Sequence, residues 1–343
     1  MSLWVFFYGI IALSICLSLI SCRSDASSPP TRAFYFWKSI YDPTTTEEQA
    51  LDSLHCHELY IKFFDVDLID GKPLPVAPVV FKKAPNATHI IPTVFITQSC
   101  IKWVTVATAE DLAGKIATLC STIIERAELK GISEIQIDCD WTASTAPQYF
   151  ALLKALATTP LLHEKILSAT IRLYQLKYSA KAGIPPVKRG LLMAYNMGDL
   201  KSATAENSIL DTKVLEQYKK AIGTYPIGLD VALPLFEWGV LYRHGKYSGL
   251  IHDPDTVLLR SVATTQSKNS YILARDTVLF DIALRSGDVV RYESISNEVL
   301  EKTASLLAQE LPSEPRRIAF FHLDSSIISK YRPAVLDDLY RRF

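Results

Sequence analysis

Two aspartates stand two residues apart at the end of an apolar run, Ile135-Gln136-Ile137-Asp138-Cys139-Asp140-Trp141-Thr142. In an extended strand, residues i, i+2 and i+4 share a face. Asp138, Asp140 and Thr142 are therefore expected on one side, with Cys139 and Trp141 on the other. Carboxylates this close couple, so one of them holds its proton more tightly than an isolated acid would. Such a pair can orient a polar substrate, bind a metal or exchange protons. The plainer alternative has one aspartate capping the next helix and the other bonding to backbone.

An acid pair at the end of a buried strand needs a scaffold that aims strand ends at one place. Short β-branched or aromatic runs occur at Ala33–Lys38, Leu59–Val66, Ile90–Ile96, Ile135–Asp140, Leu167–Leu173, Gly190–Tyr195, Ile227–Phe236 and Ile318–Leu323, which predicts eight strands. Helical spacing lies between several of them, at Glu47–Glu58, Glu110–Leu129, Pro147–Leu156, Leu210–Ala221 and Asn297–Leu311. Thr108 is placed to cap the second of these. The pattern predicts an α/β fold, a (β/α)8 TIM-type barrel with an insertion before the last strand, because Leu250–Ser296 does not fit a single crossover helix. A doubly wound open sheet is the alternative, but no G-x-G-x-x-G follows an early strand, and no dinucleotide cofactor is expected. In a barrel, Asp138 and Asp140 fall at the C-terminal mouth, where such folds keep their chemistry.

The same residues carry a resemblance. Asp138-Cys139-Asp140-Trp141 resembles the fourth-strand signature D-G-x-D-x-D-W-E of glycoside hydrolase family 18, the chitinase-like barrels, and Met193-Ala194-Tyr195-Asn196 resembles that family's M-x-Y-D/N. The resemblance implies a carbohydrate substrate whose acetamido group attacks its own anomeric carbon. By residue match, Asp140 would orient the acetamido group and Asp138 would support it, while Tyr195 and Asn196 would contact the sugar. The departures weigh as much. The family's general acid position holds Thr142, Ile135-Gln136 replaces the leading Asp-Gly, and the eighth strand lacks the expected tryptophan. A threonine hydroxyl cannot serve as a proton donor near neutral pH, because its alkoxide is far too basic. Glu237, beside Trp238 just after the seventh strand, is the preferred replacement acid, with Trp238 offering an aromatic face to a sugar ring. Asp65 and Asp67 after the second strand and Asp199 after the sixth also belong near the mouth, Asp65 as a substrate-binding candidate. A cation inside a barrel usually finds an anion, so Lys62 or Arg172 is expected to pair with the aspartates.

Composition bounds the rest. The chain has 343 residues, 36 basic and 36 acidic side chains, and 49% apolar residues, an ordinary globular balance with no basic surface for nucleic acid. Leu3–Ile20 is almost wholly apolar and ends in Leu19-Ile20-Ser21-Cys22, which resembles a bacterial lipobox. That resemblance implies a signal peptide over 1–21, lipid on the Cys22 sulfur, a tether over 22–31 and a barrel domain over 32–343, held at a membrane of the bacterial cell envelope. A plain transmembrane anchor is the alternative. The remaining cysteines, Cys56, Cys100, Cys120 and Cys139, match no zinc spacing and are expected to be buried thiols, with no metal. His55, His57 and Glu58 are expected on a solvated helix face, and Asn86-Ala87-Thr88 is a chance sequon. The expected protein is thus an exported, membrane-anchored barrel acting on a glycan. It would be either a glycosidase with a non-family acid, or a carbohydrate-binding or scaffold lipoprotein without turnover.

Overall fold

The structure, a computed structural model, describes residues 29–85, 89–202, 205–312 and 316–343. The expected signal peptide, Cys22, most of the tether and the Asn86 sequon lie outside the described residues.

Eight parallel strands close on themselves: β1 (Thr31–Phe36), β2 (Glu58–Ile69), β3 (His89–Ile96), β4 (Glu134–Cys139), β5 (Ile166–Arg172), β6 (Arg189–Met193), β7 (Gly228–Pro234) and β8 (Arg317–Phe321). Each strand pairs with its sequence neighbours, and β8 returns to β1, as Phe34 opposite Phe320 shows. This is the (β/α)8 barrel expected from the eight runs. The strands form because both their faces are buried. On β4, Ile135, Ile137 and Cys139 pack outward beneath helices, while Glu134, Gln136 and Asp138 point inward and are equally buried.

The helices α1 (Thr45–Ser53), α2 (Ala109–Arg126), α3 (Ala146–Ala157) and α4 (Asn297–Glu310) follow the predicted segments. The first stops earlier than its spacing suggested. His55 takes a positive φ of 51°, which ends the helix, and Glu58 opens β2 instead of lying on a solvated helix face. The segment expected as one helix over Leu210–Ala221 is two short ones, Thr212–Glu216 and Lys219–Gly223. Among the described residues no helix lies between β2 and β3; β2 instead runs long and folds back as a hairpin with Lys72–Val76. Thr108 stands at the start of α2, but its hydroxyl engages Thr105 rather than the helix.

The insertion begins at Trp238, earlier than Leu250. It is a five-stranded antiparallel sheet in which Trp238–Arg243 is flanked by Lys246–His252 and Val289–Glu293. Its first turn, His244-Gly245, has positive φ at both residues (51° and 71°), the geometry that two-residue hairpins require. Buried Glu293 ties the sheet to the barrel side, accepting from Trp238 Nε1 at 2.9 Å and from the Ser208 hydroxyl at 2.6 Å.

The N-terminal end of the barrel is closed by charge. Arg317 of β8 reaches across the interior to Glu58 of β2, to Glu134 of β4 at 2.9 Å and to Asp230 of β7 at 3.4 Å. Arg189 adds a 2.7 Å contact to Asp230. Above this floor, Tyr35 and Tyr60 stack at 4.6 Å, and the Tyr35 hydroxyl donates to Gln136 at 2.6 Å. Breaking a buried ion cluster from one side leaves uncompensated charge and costs about 3–5 kcal/mol. Arg317→Met is therefore expected to lower the unfolding free energy by an amount in that range, read as a fall in the urea midpoint. A midpoint matching the unsubstituted protein would show that the cluster does not hold the floor.

Candidate active site

The C-terminal ends of the strands surround a cavity of about 390 Å³. Trp37, Phe95, Tyr195, Phe236, Trp238 and Phe321 supply most of its wall, and Asp138, Arg172, Asn196, Glu237 and His322 supply its polar points. The aromatic side chains brace one another: Trp37 lies 5.5 Å from Phe321, and Phe321 lies 5.5 Å from Tyr195. A second cleft of about 300 Å³ adjoins the cavity and is bordered by Asp140, Thr142 and Tyr174. Arg172, Tyr195 and Asn196 border both.

The two aspartates are thus divided between two clefts, rather than facing one as strict alternation implied. The β4 ladder ends at Cys139, so Asp138 is fixed by the pleat while Asp140 is past it. Asp138 is 3% exposed and accepts the Thr170 hydroxyl of β5 at 2.6 Å. Burial pushes its carboxyl up to about 6, and nearby Asp140 adds to the rise, while Arg172 and the Thr170 hydrogen bond pull it down. Asp140 is gripped by Arg172, with Nε at 2.5 Å from one oxygen and Nη2 at 3.2 Å from the other. That two-point contact is the strong geometry for guanidinium and carboxylate. Of the two cations expected near the pair, Arg172 takes that part, while Lys62 pairs with Asp65 at 3.2 Å.

The remaining candidates are placed as follows. Thr142 opens the turn into α3, its hydroxyl 2.9 Å from that of Ser144 and its N–H donating to the Thr145 hydroxyl at 2.9 Å. Trp141 points away from the mouth, stacked on Tyr149 at 5.1 Å with its indole N–H on the Ala182 carbonyl. Tyr195 is buried at the cavity wall, with the Arg172 guanidinium 5.9 Å from its ring centre. Asn196, with a positive φ of 56°, is exposed on the rim. Glu237 lines the cavity but both its oxygens are engaged, one by the Tyr292 hydroxyl at 2.6 Å and the other by Lys330. Trp238 lines the cavity with its ring held by Phe236 and its N–H by Glu293. Asp65 does not border the cavity, and Asp67 is engaged by Thr97 and Ser99. Trp37, Phe321 and His322 were not singled out from sequence. Trp37 is the first residue past β1 and Phe321 ends β8, so strand-end position alone was the available signal.

No sequence-family profile matches the chain, and no curated protein matches it by sequence. Solved structures do match. The Bacillus cereus spore cortex-lytic enzyme SleL aligns at a TM-score of 0.53 and 12% identity, over 92% of this chain and 75% of that one. A Chromobacterium violaceum chitinase aligns at 0.52 and 11% identity, over 91% and 99%. The family 18 chitinase ChiB of Flavobacterium johnsoniae aligns at 0.51 and 11% identity, over 91% and 94%. The chain shares the (β/α)8 barrel fold of these enzymes. On this barrel, the residues at the ends of β4 and β6 flank β5 at the mouth, with Arg172 of β5 between Asp140 and the Tyr195 ring.

The raised Asp138 carboxyl makes a prediction about stability. A folded-state value near 6, above the ordinary 3.8, means that the folded protein binds the proton more tightly than the unfolded chain does. The contribution is full below pH 4 and is lost as pH rises through about 6. Asp138→Asn keeps an acceptor for Thr170 and removes the titration. It should gain on the unsubstituted protein between pH 4 and 7, by an amount on the order of 1–3 kcal/mol. Parallel pH profiles of the thermal midpoint would contradict this.

Proposed function

We propose that the protein is an exported, lipid-anchored barrel that binds a glycan at its mouth and does not hydrolyse it. The observation that carries this reading is the commitment of the carboxylates. Asp140 is clamped by Arg172, Glu237 is held by Tyr292 and Lys330, and Thr142 stands where the resemblance expects a proton donor. Where the substrate's own acetamido group attacks the anomeric carbon, hydrolysis still needs a carboxyl group free to protonate the leaving oxygen. Asp138 is the one of these acids with no cation in direct contact, and it is buried on β4, four residues before Thr142, the position from which the resemblance expects that proton.

What the mouth retains is a binding surface. Aromatic faces cover the apolar C–H surface of a sugar ring, and a few fixed polar groups set its orientation. The solved chitinases of like fold make an N-acetylglucosamine oligosaccharide the first glycan to test. Lipidation at Cys22 would hold such a barrel at a membrane with its mouth free, on the support of the lipobox-like Leu19-Ile20-Ser21-Cys22. The rival reading keeps turnover, with Asp138 and Glu237 acting across the one cavity they share.

Titration calorimetry with the tetramer of N-acetylglucosamine should give saturable binding, weakened about tenfold or more by Trp37→Ala through loss of ring contact. Absence of binding heat, together with unchanged tryptophan fluorescence, would sink the carbohydrate reading. Cys22→Ser should move the protein from the membrane to the soluble fraction; retention on membranes would sink the lipid anchor.

A further inference from the structure

A third cleft, of about 350 Å³, lies on the flank of the barrel. One wall is the excursion after β5, a helix over Leu173–Lys177 followed by another over Ser179–Ala182. The other wall is the helix Lys219–Gly223 and its flanks, which lead into β7. The cleft shares no lining residue with either cleft of the mouth. Lys177 and Lys220 line it from the two walls, with Ser179 and Gln217 beside them, and none of its lining residues is acidic. Among the described residues, no carboxylate pairs with either of these two ammonium groups. Glu216 lies outside the lining, and Glu310 is taken by Lys219 at 4.0 Å.

The lining narrows the ligand. Like charges around one concavity raise its potential, and an anion placed between them relieves the repulsion. Lys177 is also held in place. Its Nζ lies 4.9 Å from the Tyr218 ring centre and 5.8 Å from that of Tyr178, so two aromatic rings attract it where a carboxylate otherwise would. An ammonium has three donors and no acceptor, and a serine hydroxyl and a glutamine amide can each donate as well. The cleft therefore asks for an anion with several acceptor oxygens. A planar carboxylate is best matched by the fork of an arginine, and no arginine lines this cleft. Lysines act as point charges and suit a tetrahedral oxyanion whose oxygens point in several directions. Two ammonium groups balance a phosphate monoester, with its charge of about −1.5 to −2 near pH 7, better than a singly charged diester.

We infer that this flank cleft is a binding site for a small phosphate monoester, separate from the mouth. Lys177 and Lys220 flank the phosphate, and Ser179 and Gln217 donate to its remaining oxygens. Leu176 and Ala221, also in the lining, offer apolar wall to the carbon of the ester. Tyr178 and Tyr218 are positioning residues that hold Lys177. The site requires neither a glycan at the mouth nor a lipid anchor, so it stands or falls apart from both.

The test is calorimetry on the full chain at low ionic strength with glycerol 3-phosphate, with the diester glycerophosphoglycerol, and with acetate. The unsubstituted protein should bind glycerol 3-phosphate saturably, at least about fivefold more tightly than the diester, and give no saturable heat with acetate. Lys177→Gln and Lys220→Gln should each weaken the monoester about fivefold or more, and the double variant should abolish its binding. Both lysines are exposed, so the thermal midpoint should hold in each variant and lost binding is not misfolding. Tyr218→Leu should weaken the monoester without changing the charge of the protein. Lys154→Gln, at an exposed lysine of α3 outside the cleft, should change nothing, which separates a built site from general attraction to lysine. No saturable binding of the monoester, an equal loss in Lys154→Gln, or unchanged binding in the Lys177 and Lys220 variants would overturn the proposal. So would acetate or the diester binding as tightly as the monoester, the diester result reassigning the cleft to a lipid headgroup.

Discussion

The ion pair between Arg172 and Asp140 gives the mouth of this barrel its shape. Arg172 ends β5, one strand over from the aspartate it holds, and its guanidinium takes both carboxylate oxygens at 2.5 and 3.2 Å. Planar two-point pairing fixes both side chains at once. With the pair in place, the mouth becomes two clefts instead of one, Asp138 facing the central cavity and Asp140 the adjoining cleft. Two acids that sequence spacing put on a common face cannot then work on a common atom. Asp140 is neutralised by its partner, while Asp138 is left as a buried acid whose proton is held more tightly than usual.

A second arginine serves the other end. Arg317 gathers Glu58, Glu134 and Asp230 from three different strands and closes the floor. The barrel is therefore charge-locked at its base and charge-divided at its mouth, with stacked tyrosines between. This follows the general division of such folds, in which the N-terminal face carries stability and the C-terminal face carries chemistry. The insertion contributes to the mouth as well. Glu293 pins the Trp238 indole, and Tyr292 occupies one oxygen of Glu237, so the sheet that interrupts the last crossover also finishes the cavity wall.

Most of the scaffold was legible because it rests on local pattern. Each barrel strand is a short β-branched or aromatic run between helical or loop segments, and all eight runs became strands. The misplacements have local causes too. Helical spacing around Glu58 predicts a helix there, whereas the positive φ at His55 and the pull of Arg317 put it on β2. Sequence places the start of the insertion at Leu250 because Trp238–Arg243 continues the apolar character of β7. The site was legible only in part. Asp138, Asp140, Tyr195, Glu237 and Trp238 could be named from strand ends and motif likeness, and these border one of the two clefts, whereas Asp65, Asp67 and Asp199 line neither. Their engagement could not be read that way. That a cation such as Arg172 pairs with the aspartates could be expected, but its choice of Asp140, and the grip of Lys330 on Glu237 and of Lys62 on Asp65, depend on distances between side chains that the chain order does not encode. Trp37 and His322 were invisible for a different reason: nothing marks a single aromatic or imidazole as wall until the barrel closes around it.

The central claim is that the mouth holds a glycan whose bonds it leaves intact. The most direct measurement is mass spectrometry of an N-acetylglucosamine oligosaccharide incubated for days with a stoichiometric amount of the protein, across pH 5 to 8. The account predicts that the oligosaccharide is recovered at full length at every pH, from a sample shown to be saturated. Accumulation of shorter oligosaccharides that stops in Asp140→Asn or Glu237→Gln would contradict it, and would show that carboxylates engaged in the free protein are released for catalysis when the sugar binds.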